Sequence, residues 1–498
     1  MHGRLIGICV FPAAFAIAAC SSSENNAGGP ADSGGSSDAG DATSDAVVDS
    51  GADSSGDATR LSEAGQVDGQ TDSGETGDGQ TDSGETSDGP SDSGETGDSP
   101  SDAGDSGSTT AASAVYTMSN AAAGNTLLGF LRGADGTLTP MAGPFATGGK
   151  GSGAALGEQG AIAYDFSTNR IYVVNAGDNT FSILPVTATG SLGAAVNVSA
   201  SSTSLVGPKS ITFNGSTVYV LYEGNATTPS MIAGYAVSDV AGVLSAAPIA
   251  GSALALSSSS QSVDPAQIEF APGGQWLVVT EKQDLTGDSG VSGAGGIDTF
   301  AVDSTGLATK KGFYPTASAG ADAGAQLTPY GFGFAAGYLI VSEAGSTGVG
   351  SYSYTGGVIA AAAPTSGGAQ FVSSDPAPCW VATASTWAYV ANAKGPDVSG
   401  YTVSAATGGL TPIGAVANAV VASTGATIAT DAGPTIEGPT DESVSSDGQF
   451  LYVLNGAVPS IGIFQIHADG TLTRVGAADY APSSASALPT GAVGIVAR

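Results

Sequence analysis

Beyond the first twenty residues the chain carries one histidine, His467, and one cysteine, Cys379. Zinc sites need clustered thiolates or imidazoles, and a Ser-His-Asp triad needs a histidine beside its serine. His467 lies in FQIHADGTL, ahead of an Asp-Gly turn, where an outer strand would turn it to solvent. Acid–base chemistry therefore falls to carboxylates and lysines. Glu281, Glu343 and Glu442 are the candidates for activating a water, with Lys209 or Lys282 stabilising a developing oxyanion. Ser210, Gln267, Tyr330 and Asp441, with Asn175, Asn392 and Asn455, complete a candidate ligand-binding set. A carboxylate ring could instead hold a divalent cation that activates the water, although no metal ligand set is identified. Otherwise no cofactor is expected, since no glycine-rich stretch follows a strand and opens a helix.

These residues sit at the ends of short β-rich runs. An aliphatic–aromatic strand ending in Asn or Glu recurs as Val115–Asn120, Ile171–Asn175, Val218–Glu223, Leu277–Glu281, Leu339–Glu343, Ala388–Asn392 and Leu451–Asn455. Ahead of most copies stands a Pro-led alternating run: Pro208–Phe213, Pro265–Phe270, Pro329–Phe334, and more loosely Pro376–Val381 and Pro439–Val444. Period-two alternation marks strands, and proline is tolerated at a strand's first position. After each copy comes a strand, an Asp/Gly/Thr-rich turn and another strand, as in IGIFQIHADGTL. Each unit is thus a four-stranded antiparallel meander, and seven of them predict an all-β, seven-bladed propeller. The first copy lacks a Pro-led strand, so Pro489–Val496 is expected to complete the first blade and close the ring.

In such a meander the start of each inner strand and the end of the next lie on one face. The polar residues named above would ring a mouth there. Two explanations stand: strand-end amides and acids satisfying local backbone, or a pocket for a sugar-like lactone or a cation. Glu442 stands out because comparable runs carry Ile211, Ile268, Phe332 and Cys379 at that step. An unpaired buried carboxylate there would have a raised pKa and could act as acid or base, while a paired structural carboxylate is the alternative.

The 498 residues carry a net charge of -33, unevenly spread. Residues 21–112 hold 21 Asp or Glu against one base, Arg60. That leaves 24 acids and ten Lys or Arg for 113–498, so no basic surface suits nucleic acid. Residues 1–19 form an expected export signal, with Arg4 ahead of an apolar run too short to span a membrane. The run ends Ile17-Ala18-Ala19-Cys20, which resembles the bacterial lipobox and implies lipidation of Cys20. The expectation is a monomer anchored by lipid in a bacterial cell envelope, at the outer membrane or surface. Residues 20–112 would form a disordered acidic tether, including three near-copies of a ten-residue unit from Thr71, Thr81 and Ser91. With so few cysteines, the domain at 113–498 must rely on its core.

The stretches PAQIEFAPGGQWLVVTEK (265–282), TPYGFGFAAGYLIVSEAG (328–345), PAPCWVATASTWAYVAN (376–392) and DGQFLYVLN (447–455) resemble the lactonase family of seven-bladed propellers. That family includes 6-phosphogluconolactonases and carboxymuconate-lactonising enzymes. Its enzymes tend to carry Gly-Pro-Arg-His in an inner strand; here the match is Gly207-Pro208-Lys209-Ser210. With that signature altered, the main expectation is a surface module binding a glycan, small molecule, protein or other envelope component. A hydrolase opening a sugar-type lactone with mouth carboxylates is the alternative.

Overall fold

The computed structural model describes residues 112–498 apart from 257–261, 283–294, 317–326, 346–347, 364–368, 374–376, 394–396, 417–427, 431–432, 436–437, 457–458, 477–479 and 482–486. The export signal, Cys20 and the acidic segment to residue 111 lie outside the described residues. Seven antiparallel sheets, each with a path of four strands, make the seven blades. Their inner strands are Val493–Ala497 in blade 1, Ile162–Asp165 in blade 2, Pro208–Asn214 in blade 3 and Pro265–Phe270 in blade 4. Pro329–Ala335, Pro378–Ala384 and Pro439–Val444 serve blades 5, 6 and 7. A separate two-stranded hairpin, Ile428–Thr430 with Gly433–Thr435, lies between blades 6 and 7 in the chain.

The C-terminal strand closes the ring as expected, pairing Val115 with Ala497, Tyr116 with Val496 and Thr117 with Ile495. Arg498 extends the closure into blade 2, where its Nη1 donates to Tyr164 Oη at 3.1 Å and to Asn169 Oδ1 at 2.5 Å. Proline opens five inner strands because the first position forfeits no ladder bond. One register differs from expectation. In blade 6 the opening proline is Pro378, opposite Asn392, as Pro265 is opposite Glu281 and Pro439 opposite Asn455. Val381, not Cys379, is therefore the counterpart of Ile268 and Glu442. A slip of two residues keeps every side chain on its face, so alternation alone could not choose between the two prolines.

The recurring tyrosine has a defined task. Tyr219 donates its hydroxyl to Gly306 O at 2.7 Å, Tyr389 to Gly470 O at 2.9 Å, and Tyr452 to Gly136 O at 2.9 Å. Each acceptor lies in the outer hairpin of the next blade, so a buried ring fills the interface while its hydroxyl fixes the register between blades. Blades share no backbone ladder, so the channel-side N–H groups of the inner strands need other acceptors. Neighbouring side chains supply them. Ser210 Oγ accepts from Ile268 N–H and Thr212 Oγ1 from Phe270 N–H, both at 3.1 Å. Ser443 Oγ accepts from Ala497 N–H at 3.1 Å.

Candidate functional site

Inner-strand starts and second-strand ends do share one end of the ring, but several of the residues named there make contacts within their own blades. Asn175 Nδ2 donates to Thr180 Oγ1 at 3.1 Å and Ser182 Oγ at 2.8 Å. Asn392 Nδ2 likewise reaches Asp397 Oδ1 at 2.7 Å, and Asn455 Nδ2 reaches Ser460 Oγ at 3.1 Å. In each case the amide clasps the start of the following strand. Glu343 is buried within its blade and accepts from Tyr352 Oη at 2.7 Å. Burial pushes its carboxyl well above the usual range, against that hydrogen bond. Glu281 is also buried, and neither glutamate lines the central channel.

The mouth itself is filled by the segment Leu156–Gly160. Its backbone accepts from Trp380 Nε1 at Glu158 O (2.8 Å), from Lys282 Nζ at Gly157 O (3.0 Å) and from Ile211 N at Gly160 O (2.9 Å). Gln159 reaches the free edge of blade 6, donating to Val381 O at 2.7 Å and accepting from Val381 N at 2.8 Å. Blade 5 makes room with Gly331, where a Cβ would collide with Gln159 Oε1. Blades 3, 4 and 6 thus hold one plug.

Beneath the plug the lysines are already paired. Lys209 Nζ lies 3.2 Å from Asp264 Oδ1 and 3.4 Å from Glu223 Oε1, and Lys282 Nζ lies 2.8 Å from the same Asp264 oxygen. Burial opposes the Lys209 charge, but Asp264 and Glu223 outweigh it and raise its pKa. Lys282, which also stands 5.2 Å from the Tyr330 ring, is pushed down to about 8 by burial and by Lys209. Asp264 is half-buried, and against that desolvation Lys282 and Lys209 hold it below the usual carboxylate range. The Tyr330 hydroxyl is buried with no hydrogen-bond partner among the described residues. Glu158 is raised well above its ordinary value by burial and by Asp441. Asp441 is raised by burial although it accepts from Glu442 N at 2.8 Å and Ile495 N at 3.1 Å. Glu442 accepts from Ala382 N at 3.1 Å through Oε1, while Oε2 is buried without a partner among the described residues. Burial and then Asp441 lift it far above a normal glutamate.

On the channel side of the plug lies a cavity of about 370 Å³ lined by all seven inner strands. One tier shapes it. Ala163, Thr212, Glu269, Gly333, Ala382 and Ser443 occupy the same register in six blades, opposite Tyr172, Tyr219, Val278, Ile340, Tyr389 and Tyr452. Five are small and leave the space. Gly333 is required, since a Cβ would lie 2.7 Å from Thr383 Cγ2 of blade 6. The sixth is Glu269, half-buried, its Oε2 accepting from Gln267 Nε2 at 3.0 Å. Gln267 is clamped in turn to blade 5, donating to Phe332 O at 3.0 Å and accepting from Phe332 N at 2.7 Å. Burial pushes Glu269 up to about 7, against the Gln267 bond.

Of the predicted residues, the structure brings Gln267, Asp441 and Glu442 to this cavity, while Lys209 and Lys282 stay in the ion cluster. Glu269, Glu158, Gln159 and Asp264 do not stand out in the sequence as site residues. For Glu269 a signal existed: an acid in PAQIEF at the step where five other blades place a small residue and blade 1 places Val496. Among the described residues no group of three or more His, Cys, Asp or Glu is arranged to hold a metal ion. No lysine, arginine or histidine lines the cavity among the described residues.

Solved structures show a shared architecture. A protein from Lactobacillus plantarum superposes with a TM-score of 0.53 at 14% identity, covering 78% of this chain and 99% of its own. What is shared is the propeller. A periplasmic gluconolactonase from Pseudomonas aeruginosa gives 0.46 at 18% identity over 59% of this chain and 78% of that one. A putative 6-phosphogluconolactonase from Bacteroides fragilis gives 0.41 at 16% identity over 64% and 80%. No family model and no curated protein matches the sequence.

Proposed function

We propose that the channel opens a small, uncharged lactone by hydrolysis, with Glu269 as the general base. The observation that carries this is a single half-buried carboxylate, poised near neutrality at about 7, in a tier otherwise made of five small residues and Val496. A base is most effective when its pKa lies near the working pH. Glu269 takes a proton from water as the water oxygen bonds to the lactone carbonyl. The ring C–O bond then breaks, and the proton passes from Glu269 to the departing ring oxygen, giving a hydroxy acid. Gln267 orients the base through its bond to Oε2. The Thr383 and Ser443 hydroxyls line the same cavity and can donate to the carbonyl oxygen as it gains charge. Lys209 and Lys282 are not used for this, because both ammonium groups are buried against Asp264. With no cation in the lining among the described residues, a phosphorylated lactone would find no partner for its charge, which favours an uncharged substrate. The likeness of segments 265–282 and 328–345 to the lactonase family agrees with this chemistry. The test is titration of acid released from lactones by the purified chain. Saturable release, reduced about 100-fold or more in Glu269→Gln, is expected; an unaffected variant would refute the assignment.

A further inference from the structure

We infer that the cavity is a well whose mouth is the face of turns joining inner to second strands, with the plug as its fixed floor. That mouth is the route of the substrate, a statement that rests on the hydrolase function above. The two ends of the channel are built differently. At the floor, one segment bonds to blades 3, 4 and 6 across the ring. Releasing it would leave the buried Trp380 indole N–H and the Ile211 and Val381 amides without acceptors. At the other end, the turns between inner and second strands of blades 2 to 7 are two to five residues long and all lie within the described residues. Their contacts run around the ring. Asn214 Nδ2 donates to Gly274 O of the next blade at 3.0 Å, Ala336 N to Ser385 O at 3.1 Å, and Arg132 pairs with Asp447 at 2.6 Å.

Exposure grades along the strands in the same sense. A step of two residues keeps a side chain on its face. Taken away from the floor, such a step leads from Gln267 at 4% exposure to the partly exposed Glu269. It leads likewise from Val381 at 2% to Thr383, and from Asp441 at 3% to Ser443, both partly exposed. All six residues line the cavity. Phe213, Thr383 and Val444, again partly exposed, stand one step beyond the tier of Glu269, opposite Val218, Ala388 and Leu451. They frame the mouth. A ligand arriving from the turns thus meets Glu269 before the plug and breaks none of the bonds that hold the plug in place.

The experiment reads access through chemistry that needs no turnover. Ser443→Cys places a thiol in the cavity wall, and its modification by a small methanethiosulfonate is timed in the full chain. The unsubstituted chain is the blank for its own cysteines, and Ala163→Cys is the second reporter. Modification is expected, slowed about tenfold or more by Val444→Trp or Thr383→Trp and unchanged within about twofold by Gln159→Ala. Tryptophans on two blades keep the test decisive should one of them not fold. A thiol accelerated by Gln159→Ala, indifferent to both tryptophans, or unreactive would overturn the route. The expected pattern in a chain that opens no lactone would uphold the route and refute hydrolysis. Lactone opening that neither tryptophan slows would refute the route and leave hydrolysis standing.

Discussion

At the scale of single residues, the core of this propeller stores an unusual number of buried acids. Glu158, Asp441, Glu442 and Glu343 are nearly inaccessible, and burial raises the pKa of each. Because their folded values exceed the unfolded ones, the native state keeps protons that the unfolded chain gives up above about pH 4. Their stabilisation is complete below that pH and drains away as pH climbs through the folded values. Asp264 acts in the opposite sense, since its depressed value loses support only as pH falls below about 4. Calorimetry should therefore show the melting temperature several degrees lower at pH 8 than at pH 5, on the order of a few kcal/mol in stability. Glu442→Gln should flatten that slope. A melting temperature that rises between pH 5 and 8 would contradict the protonation of these acids in the native state. Glu442 was legible as an anomaly because it interrupts an apolar step. Its bond to Ala382 N was not, because that N–H belongs to another blade some sixty residues away.

At the scale of elements, the repeat was plain because each copy meets the same demand. An inner-strand proline, a second-strand tyrosine and an Asp-Gly hairpin recur where a blade must start, lock and turn. The accepting carbonyls belong to hairpin glycines whose φ lies between +81° and +83°, a left-handed conformation that glycine adopts without strain. In blade 6 the sequence leaves the register open by two residues because Pro376 and Pro378 share a face, and the pairing selects Pro378. The closing strand is the element on which the ring depends most. Deleting 493–498 removes the partner of Ala114–Met118, the buried Val493 and Ile495, and the Arg498 contacts to blade 2. The expected cost is on the order of 5 kcal/mol, visible as a broader, earlier urea transition. An unchanged midpoint would mean that the first blade stands without it.

At the scale of the whole molecule, the plug decides where chemistry can occur. The sequence pointed to the end of the ring where strand starts and ends meet, and Leu156–Gly160 fills that end. Nothing in GSGAALGEQG carries a strand or helix period, so its crossing of the channel could not be anticipated; its bonds to Val381, Trp380, Lys282 and Ile211 reveal it. The cavity lies beyond the plug, where the seven inner strands surround Glu269. That tier emerges only after all the blades are placed in register, which is why a base in the middle of an inner strand is hidden beside the acids at strand ends. The most direct test of hydrolysis by Glu269 is the pH dependence of kcat/KM for a small uncharged lactone, corrected for spontaneous opening. With the base at about 7, the rate constant should climb roughly tenfold per pH unit below that value and level off above it, and Glu269→Gln should abolish the rise. A flat profile, or the same profile in Glu269→Gln, would contradict it.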